Sequence, residues 1–315
     1  MFIGLYIAWG IGTNDETMAT VAGSRFLGVN SSVILGGLFA LVGAILLGGG
    51  VEETIGKGLV NFEISIKLSL IVLFAVATWL TLASYKGWPI STTHSIVGAV
   101  IGLGLFMRGW EGINFATVYK VIFAWFFSPL VGFVGAYVTH MAIGKIFLAR
   151  MDGLRSRTVS EYYFAHLLAV AALLNEFSRG GNDIANASAL LSVSMGTVID
   201  PALIRVVCGV TMFLGLVVLG RRVVKFVGNN IVELTPSSSF SAQIATTIIV
   251  LICTLLKLPV SSTHVLVASI AGVGLARGVY IDVKSIAKVV FAWVATFPAS
   301  ALFTVVVLWL LMPVL

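Results

Sequence analysis

Apolar runs long enough to cross a bilayer recur from one end of the chain to the other, parted by short polar stretches. The first run gives way at Gly10-Ile11-Gly12-Thr13-Asn14-Asp15-Glu16-Thr17 before resuming towards Arg25, which predicts a helix broken within the membrane. A long helix is predicted over about residues 31–47, then a loop over 48–61 carrying Glu52, Glu53 and Lys57, then a helix from Glu63 to about Tyr85. Pro89 interrupts the pattern. Ser91-Thr92-Thr93-His94 then opens a short helix to about Met107, and a further span covers residues 115–143.

The connection over 144–160 is the most basic, with Lys145, Arg150, Arg155 and Arg157. After it the same programme returns. An apolar run from Ala165 is expected to break over Ser178-Arg179-Gly180-Gly181-Asn182-Asp183. A span over 204–219, a helix from near Phe240, a second Pro259-Val260-Ser261-Ser262-Thr263-His264 element and a last span ending near Met312 complete the chain. The two halves match in residues as well as hydropathy. Asn14-Asp15 answers Asn182-Asp183, Phe123-Ala124-Trp125 answers Phe291-Ala292-Trp293, and Glu63 answers Glu233, each pair 168 to 170 positions apart. With the two Pro-hydroxyl-His elements, 170 positions apart, there are four matches in register, which indicate a duplication: a first repeat over 1–143, a basic cytoplasmic linker over 144–160 and a second repeat over 161–315.

Whether the repeats are parallel or inverted turns on the short helices after the hydroxyl triplets. If these cross the membrane, each half has five crossings and the halves are inverted. The Lys and Arg residues then gather on the linker side, as the positive-inside rule prefers, with both termini outside. The fold class expected is therefore an all-α polytopic membrane protein, two inverted-topology repeats whose broken helices and half-helix elements meet near the bilayer midplane.

Composition narrows the classes further. Hydrophobic residues make up 59% of the 315 and charged residues 10%, against about 25% charged in soluble domains. In a soluble chain the net charge of +6 would raise nucleic acid as a partner; here the basic residues sit at span ends, and none is expected. Cys208 and Cys253 stand singly in apolar segments and read as packing residues. The N-terminus has no basic region ahead of its apolar run, so no cleavable signal is expected.

The chemistry is concentrated at the doubled elements. A Pro followed by three hydroxyl residues starts a helix inside an apolar region, leaving backbone N–H groups and hydroxyls at its tip, and such a tip holds anions. Two tips together offer about +1 of charge, less than a divalent tetrahedral oxyanion requires. No Lys or Arg lies within either triplet. Asp15 and Asp183 lie at membrane depth, where an ionised group is costly and calls for a function. An Asp, an Asn and freed backbone carbonyls form a hard oxygen set suited to Na⁺. The combination predicts uptake of an oxyanion coupled to cations that balance it. An anion channel would show basic rings or a hydrophobic gate, and neither is evident. His94 and His264 have no Cys, His or Asp partner at ligand or triad spacing, so a hydrolase is not indicated.

The Gly-Gly-Asn-Asp-Ile-Ala-Asn-Ala run at 180–187, the two Pro-X-Ser-(Ser/Thr)-Thr-His elements, and the Leu234-Thr235-Pro236-Ser237 and Phe240-Ser241-Ala242-Gln243 runs resemble the PiT family of inorganic phosphate transporters. The resemblance covers essentially the whole chain. It implies Na⁺-coupled symport of inorganic phosphate by alternating access, with a proton-coupled phosphate or sulfate permease of the same family as the alternative, by a homodimer in the plasma (inner) membrane with no cofactor beyond the coupling ion. It implies phosphate at Ser91, Thr92, Thr93, Ser261, Ser262 and Thr263 with Gln243 nearby, and Na⁺ around Asn14, Asp15, Asn182 and Asp183. Glu63, Glu233, His94, His264 and Arg179 are candidates for supporting roles. The chain departs from the family pattern at Glu16, at the missing second Asn of the first copy, and at Arg179, where a His is expected.

Overall fold

The computed structural model describes the chain apart from residues 1, 25, 86–90, 148, 150–152, 223, 225–234, 280–282 and 312–315, and apart from the side chains at 83–85, 194, 283–286, 288, 289 and 292. The described residues are helical almost throughout. In chain order the helices are α1 (Phe2–Thr13), α2 (Ala19–Gly23), α3 (Val29–Glu53), α4 (Ile66–Tyr85), α5 (Thr92–Arg108), α6 (Phe115–Ile146), α7 (Leu154–Asp183), α8 (Ala185–Met195), α9 (Pro201–Gly215), α10 (Pro236–Leu255), α11 (Ser262–Arg277) and α12 (Val283–Leu311). Among the described residues five stretches are long and apolar enough to cross a membrane: Val29–Gly58, Phe115–Ile146, Pro201–Gly220, Pro236–Leu255 and Trp293–Leu311. Their outer faces carry exposed Leu, Val, Ile and Phe, the surface a lipid environment calls for.

The first helix breaks where expected, with a non-helical turn between Thr13 and Ala19. Three boundaries differ from the sequence reading. Residues 48–53 are the end of α3 and not a loop, and a single π turn (Thr54–Gly58) extends it. The glycines that suggested a loop are there for closeness: a Cβ on Gly48 would come within 2.6 Å of the Ile184 side chain. The expected break over 178–183 is absent. Helix α7 continues through Asp183, and the irregularity falls at Ile184 alone. Gly180 serves packing, since a Cβ there would meet the Ala40 carbonyl oxygen at 2.0 Å. Finally, α6 and α7 extend into the basic connection, leaving only residues 147–153 between them.

Helices of the two halves pack on one another in reciprocal pairs. Helix α3 lies against α7 while α1 lies against α9; α5 lies against α12 while α11 lies against α6. Small residues set these contacts. Gly98 and Gly102 of α5 face the carbonyls of Phe297 and Ala301 on α12, and Gly272 of α11 faces that of Phe133 on α6. Every residue of α5 from Thr93 to Gly104 is buried. The post-triplet helices therefore run through the protein interior, at 17 and 16 residues.

Candidate functional site

The two hydroxyl triplets face one small cavity. Ser91 is extended (φ −87°, ψ 124°) ahead of α5, and its side chain accepts the backbone N–H of His94. Ser261 takes the same extended form (φ −93°, ψ 108°) ahead of α11. This is the N-cap geometry that Pro followed by Ser favours. Both helices thus begin at the cavity and aim their positive ends at it. All six triplet residues line it, together with Ile11, Asn14, Arg179 and Asp183. Its volume is about 20 Å³, on a measure by which a single water needs roughly 10–15 Å³. The space has room for one or two water-sized groups.

The tips are held in place by the Asn-Asp motif of the second half. Asn182 Nδ2 donates to Thr254 Oγ1 and to the Leu258 carbonyl, both at 3.0 Å, and its Oδ1 accepts Val260 N–H at 3.0 Å. One turn on, Asn186 Nδ2 donates to Thr93 Oγ1 at 3.2 Å. Thr93 in turn donates to the Val260 carbonyl. Trp125 Nε1 reaches the carbonyl of Pro259 at 2.9 Å. The carbonyls of Leu258, Pro259 and Val260 and the N–H of Val260 are all taken up in this way. Asn182 is accordingly a brace for the second tip.

A charged cluster adjoins the cavity. Asp15, Asp183 and Arg179 are all buried. Arg179 Nε donates to Asp183 Oδ2 at 2.8 Å, and its Nη1 donates to Asp15 Oδ1 and, at 2.8 Å, to Thr17 Oγ1. Glu16 Oε1 lies 3.6 Å from the same nitrogen and accepts the Thr263 hydroxyl at 2.7 Å. Glu176, fully buried one turn before Arg179, has neither carboxyl oxygen in a hydrogen bond. The acids of both halves therefore meet around one guanidinium.

The remaining candidates divide. Gln243 is buried but does not line the cavity. Its amide donates to the Thr17 carbonyl and Thr20 Oγ1 and accepts from Asn175, fixing the turn that carries Asp15 and Glu16. His94 and His264 sit behind the tips, ring to ring at 4.6 Å; His264 stacks on Trp293 at 3.6 Å and His94 meets Trp125 at 3.8 Å. His94 Nδ1 also lies 3.1 Å from the Trp293 carbonyl. Both are packing and bracing residues of the two tips. Glu63 is exposed on the stretch before α4 and does not line the cavity. Glu233 lies outside the described residues. Sequence reasoning missed the parts played by Asn186, Asn175, Glu176 and Trp125. An acid in mid-helix at membrane depth was a legible signal for Glu176; Asn186 stands one turn after Asn182 in the same motif.

Comparison with known proteins bears on what such a site does. The model of the phosphate transporter family matches residues 11–304. Over 407 aligned positions the chain is 29% identical to a Chlamydia pneumoniae protein provisionally named a phosphate permease, covering 97% of this chain and 96% of that one. It is 25% identical over 422 positions to inorganic phosphate transporter 2-1, chloroplastic, of Arabidopsis thaliana, covering 100% of this chain and 72% of that one. A solved structure, the sodium-dependent phosphate transporter, matches with a TM-score of 0.88 at 26% identity, over 100% of this chain and 98% of that one. The family match runs through both triplets and both Asn-Asp pairs, and the chain belongs to the phosphate transporter family.

Proposed function

We propose that this multi-pass membrane transporter imports inorganic phosphate coupled to Na⁺, by alternating access between two inverted repeats. Phosphate is held between Ser91-Thr92-Thr93 and Ser261-Ser262-Thr263, where two helix beginnings supply backbone N–H groups and the hydroxyls of Ser91, Thr92, Ser261 and Ser262, while those of Thr93 and Thr263 are given to the Val260 carbonyl and Glu16. The observation that carries this reading is the single cavity lined by all six. Two helix ends cannot balance a divalent anion alone, so cations travel with it. Their ligands are drawn from Asn14, Asp15 and Asp183, with Asn182 setting the geometry of the neighbouring tip. The Na⁺ assignment is supported by this hard-oxygen set and by the likeness to a sodium-dependent phosphate transporter.

Reciprocal packing of α3 on α7 and α1 on α9, and of α5 on α12 and α11 on α6, supports a pseudo-two-fold relation between the halves. The surplus of basic residues on the linker side supports termini on the outside of a plasma (inner) membrane. The proposed assembly is a homodimer, which rests on the family resemblance and is checked by crosslinking in membranes.

The test is uptake of labelled phosphate into liposomes holding the purified protein, with a Na⁺, K⁺ or pH gradient imposed and sulfate as competitor. Uptake driven by the Na⁺ gradient and resistant to sulfate is expected. Uptake indifferent to Na⁺ overturns the coupling, and uptake abolished by equimolar sulfate overturns the selectivity.

A further inference from the structure

Arg179 stands between the two acids on which Na⁺ coupling depends. Its Nε faces Asp183 at 2.8 Å, its Nη1 faces Asp15, and the Thr17 hydroxyl completes the shell at 2.8 Å. Oxygen atoms from Asp15, Asp183 and Thr17 around one positive centre are what a small hard cation would be offered there. The guanidinium occupies that position while also lining the cavity with the triplets.

We propose that Arg179 is a tethered counter-ion that replaces one coupling cation, so that this transporter moves fewer Na⁺ per phosphate than its acid cluster would otherwise bind. The inference rests on the Na⁺-coupled reading above and concerns stoichiometry only. Three features carry it. First, the charge is permanent, since a guanidinium is not deprotonated in proteins. Second, it cannot leave. Arg179 belongs to α7, which is locked against α3 by the approach of Gly180 to the Ala40 carbonyl, whereas a coupling ion must dissociate on the far side. Third, the surrounding charge fits a mixed site. Asp15 and Asp183 both bond this one Arg and Glu16 lies 3.6 Å from it, so the acidic side chains around it outnumber the fixed cation. Arg179 is thus a residue that sets coupling by balancing charge, without itself being carried.

The contrasting role is a direct phosphate ligand, and the two roles predict different readouts. Purified wild-type, R179Q and R179K proteins are placed in liposomes with voltage clamped at zero, and uptake of labelled Na⁺ and labelled phosphate is measured together. R179Q frees the position between Asp15 and Asp183 and is expected to raise the Na⁺-to-phosphate flux ratio by about one ion. It should also raise the limiting phosphate accumulation about tenfold under a tenfold Na⁺ gradient, one ion's worth of driving force. R179K keeps the charge and the wild-type ratio. A ratio in R179Q equal to wild type, with only the phosphate KM raised, overturns the proposal and makes Arg179 an anion ligand.

If R179Q folds but does not transport, labelled Na⁺ binding to the detergent-solubilised protein decides. One more bound Na⁺ than wild type, lost again in D15N/R179Q, supports the proposal; an unchanged count overturns it. If R179Q fails to fold, the same count is made on R179K against wild type, where an increase overturns the proposal and equality supports it. Failure of the Na⁺-coupled reading itself is separate: wild-type uptake would then ignore the Na⁺ gradient altogether.

Discussion

Thr93 of the first half donates its hydroxyl to the carbonyl of Val260 in the second, 3.2 Å away and 167 positions along the chain. The same oxygen accepts from Asn186. One side chain therefore joins three pieces of the site: the beginning of α5, the lead-in to α11, and the helix that follows the Asn-Asp motif. The spacing of the two tips, and so the size of the cavity between them, is set through this oxygen.

Thr93→Val keeps the shape and removes the hydroxyl. It strands the Val260 carbonyl and the Asn186 amide in a buried site, a loss of about 1–3 kcal/mol, which corresponds to roughly 5- to 150-fold in phosphate affinity. Thr93→Ser should retain most of the affinity. The check is the phosphate KM of Na⁺-driven uptake in liposomes. A KM in Thr93→Val equal to wild type means that the hydroxyl does not govern the spacing.

Asp183→Asn tests the charge apart from the fold. The amide oxygen can still accept from Arg179 Nε, so the helix and its bridge to Asp15 have a means of persisting. What disappears is one negative charge beside the cavity. Na⁺-dependent uptake should be abolished while the protein still inserts and elutes as wild type on gel filtration. Normal uptake in this variant would remove Asp183 from the mechanism.

The helix contacts make a prediction about stability alone. A methyl on Gly98 would fall 2.4 Å from the Phe297 carbonyl oxygen, with backbone on both sides and nothing flexible to yield. Gly98→Ala should cost about 1–3 kcal/mol through forced separation of α5 and α12. Gly10 has open space at its Cβ position, so Gly10→Ala is the control and should leave stability unchanged or slightly raised. Thermal unfolding in detergent compares the two; equal melting points would show that α5 and α12 can part freely.

Much of the site was legible because its signals are local. A Pro followed by hydroxyl residues in an apolar run can only start a helix there, and the run being doubled pointed to one shared guest. The paired Asp residues stood out for the same reason, as charges at a depth where charges are costly. The misread parts depend on partners far along the chain. Gly180 and Gly181 looked like a break because glycine disfavours helices, yet α7 continues, and it is the approach of α3 that calls for them. Arg179 stood out only as a departure from the family pattern, with a supporting role. Its actual engagement with Asp15, 164 positions away, has no local trace. Gln243 was drawn towards the phosphate by resemblance, whereas its amide is taken up by Thr17, Thr20 and Asn175.

Trp125 offers a test of how far the tips depend on what lies behind them. Its indole N–H donates to the Pro259 carbonyl at 2.9 Å, and its ring packs on His94 at 3.8 Å. Trp125→Phe retains an aromatic surface for His94 but leaves that carbonyl, in the Pro of the second element, without its donor. The lead-in to α11 is then held by Asn182 and Thr93, and Ser261 to Thr263 lose part of their fixed placement. A lost neutral hydrogen bond of about 0.5–1.5 kcal/mol should raise the phosphate KM by roughly 2- to 13-fold. The Na⁺ dependence should keep its steepness, because no ligand of the cation cluster is touched. A change in Na⁺ steepness with the phosphate KM unaltered would mean that Trp125 acts on the acid cluster and not on the second tip.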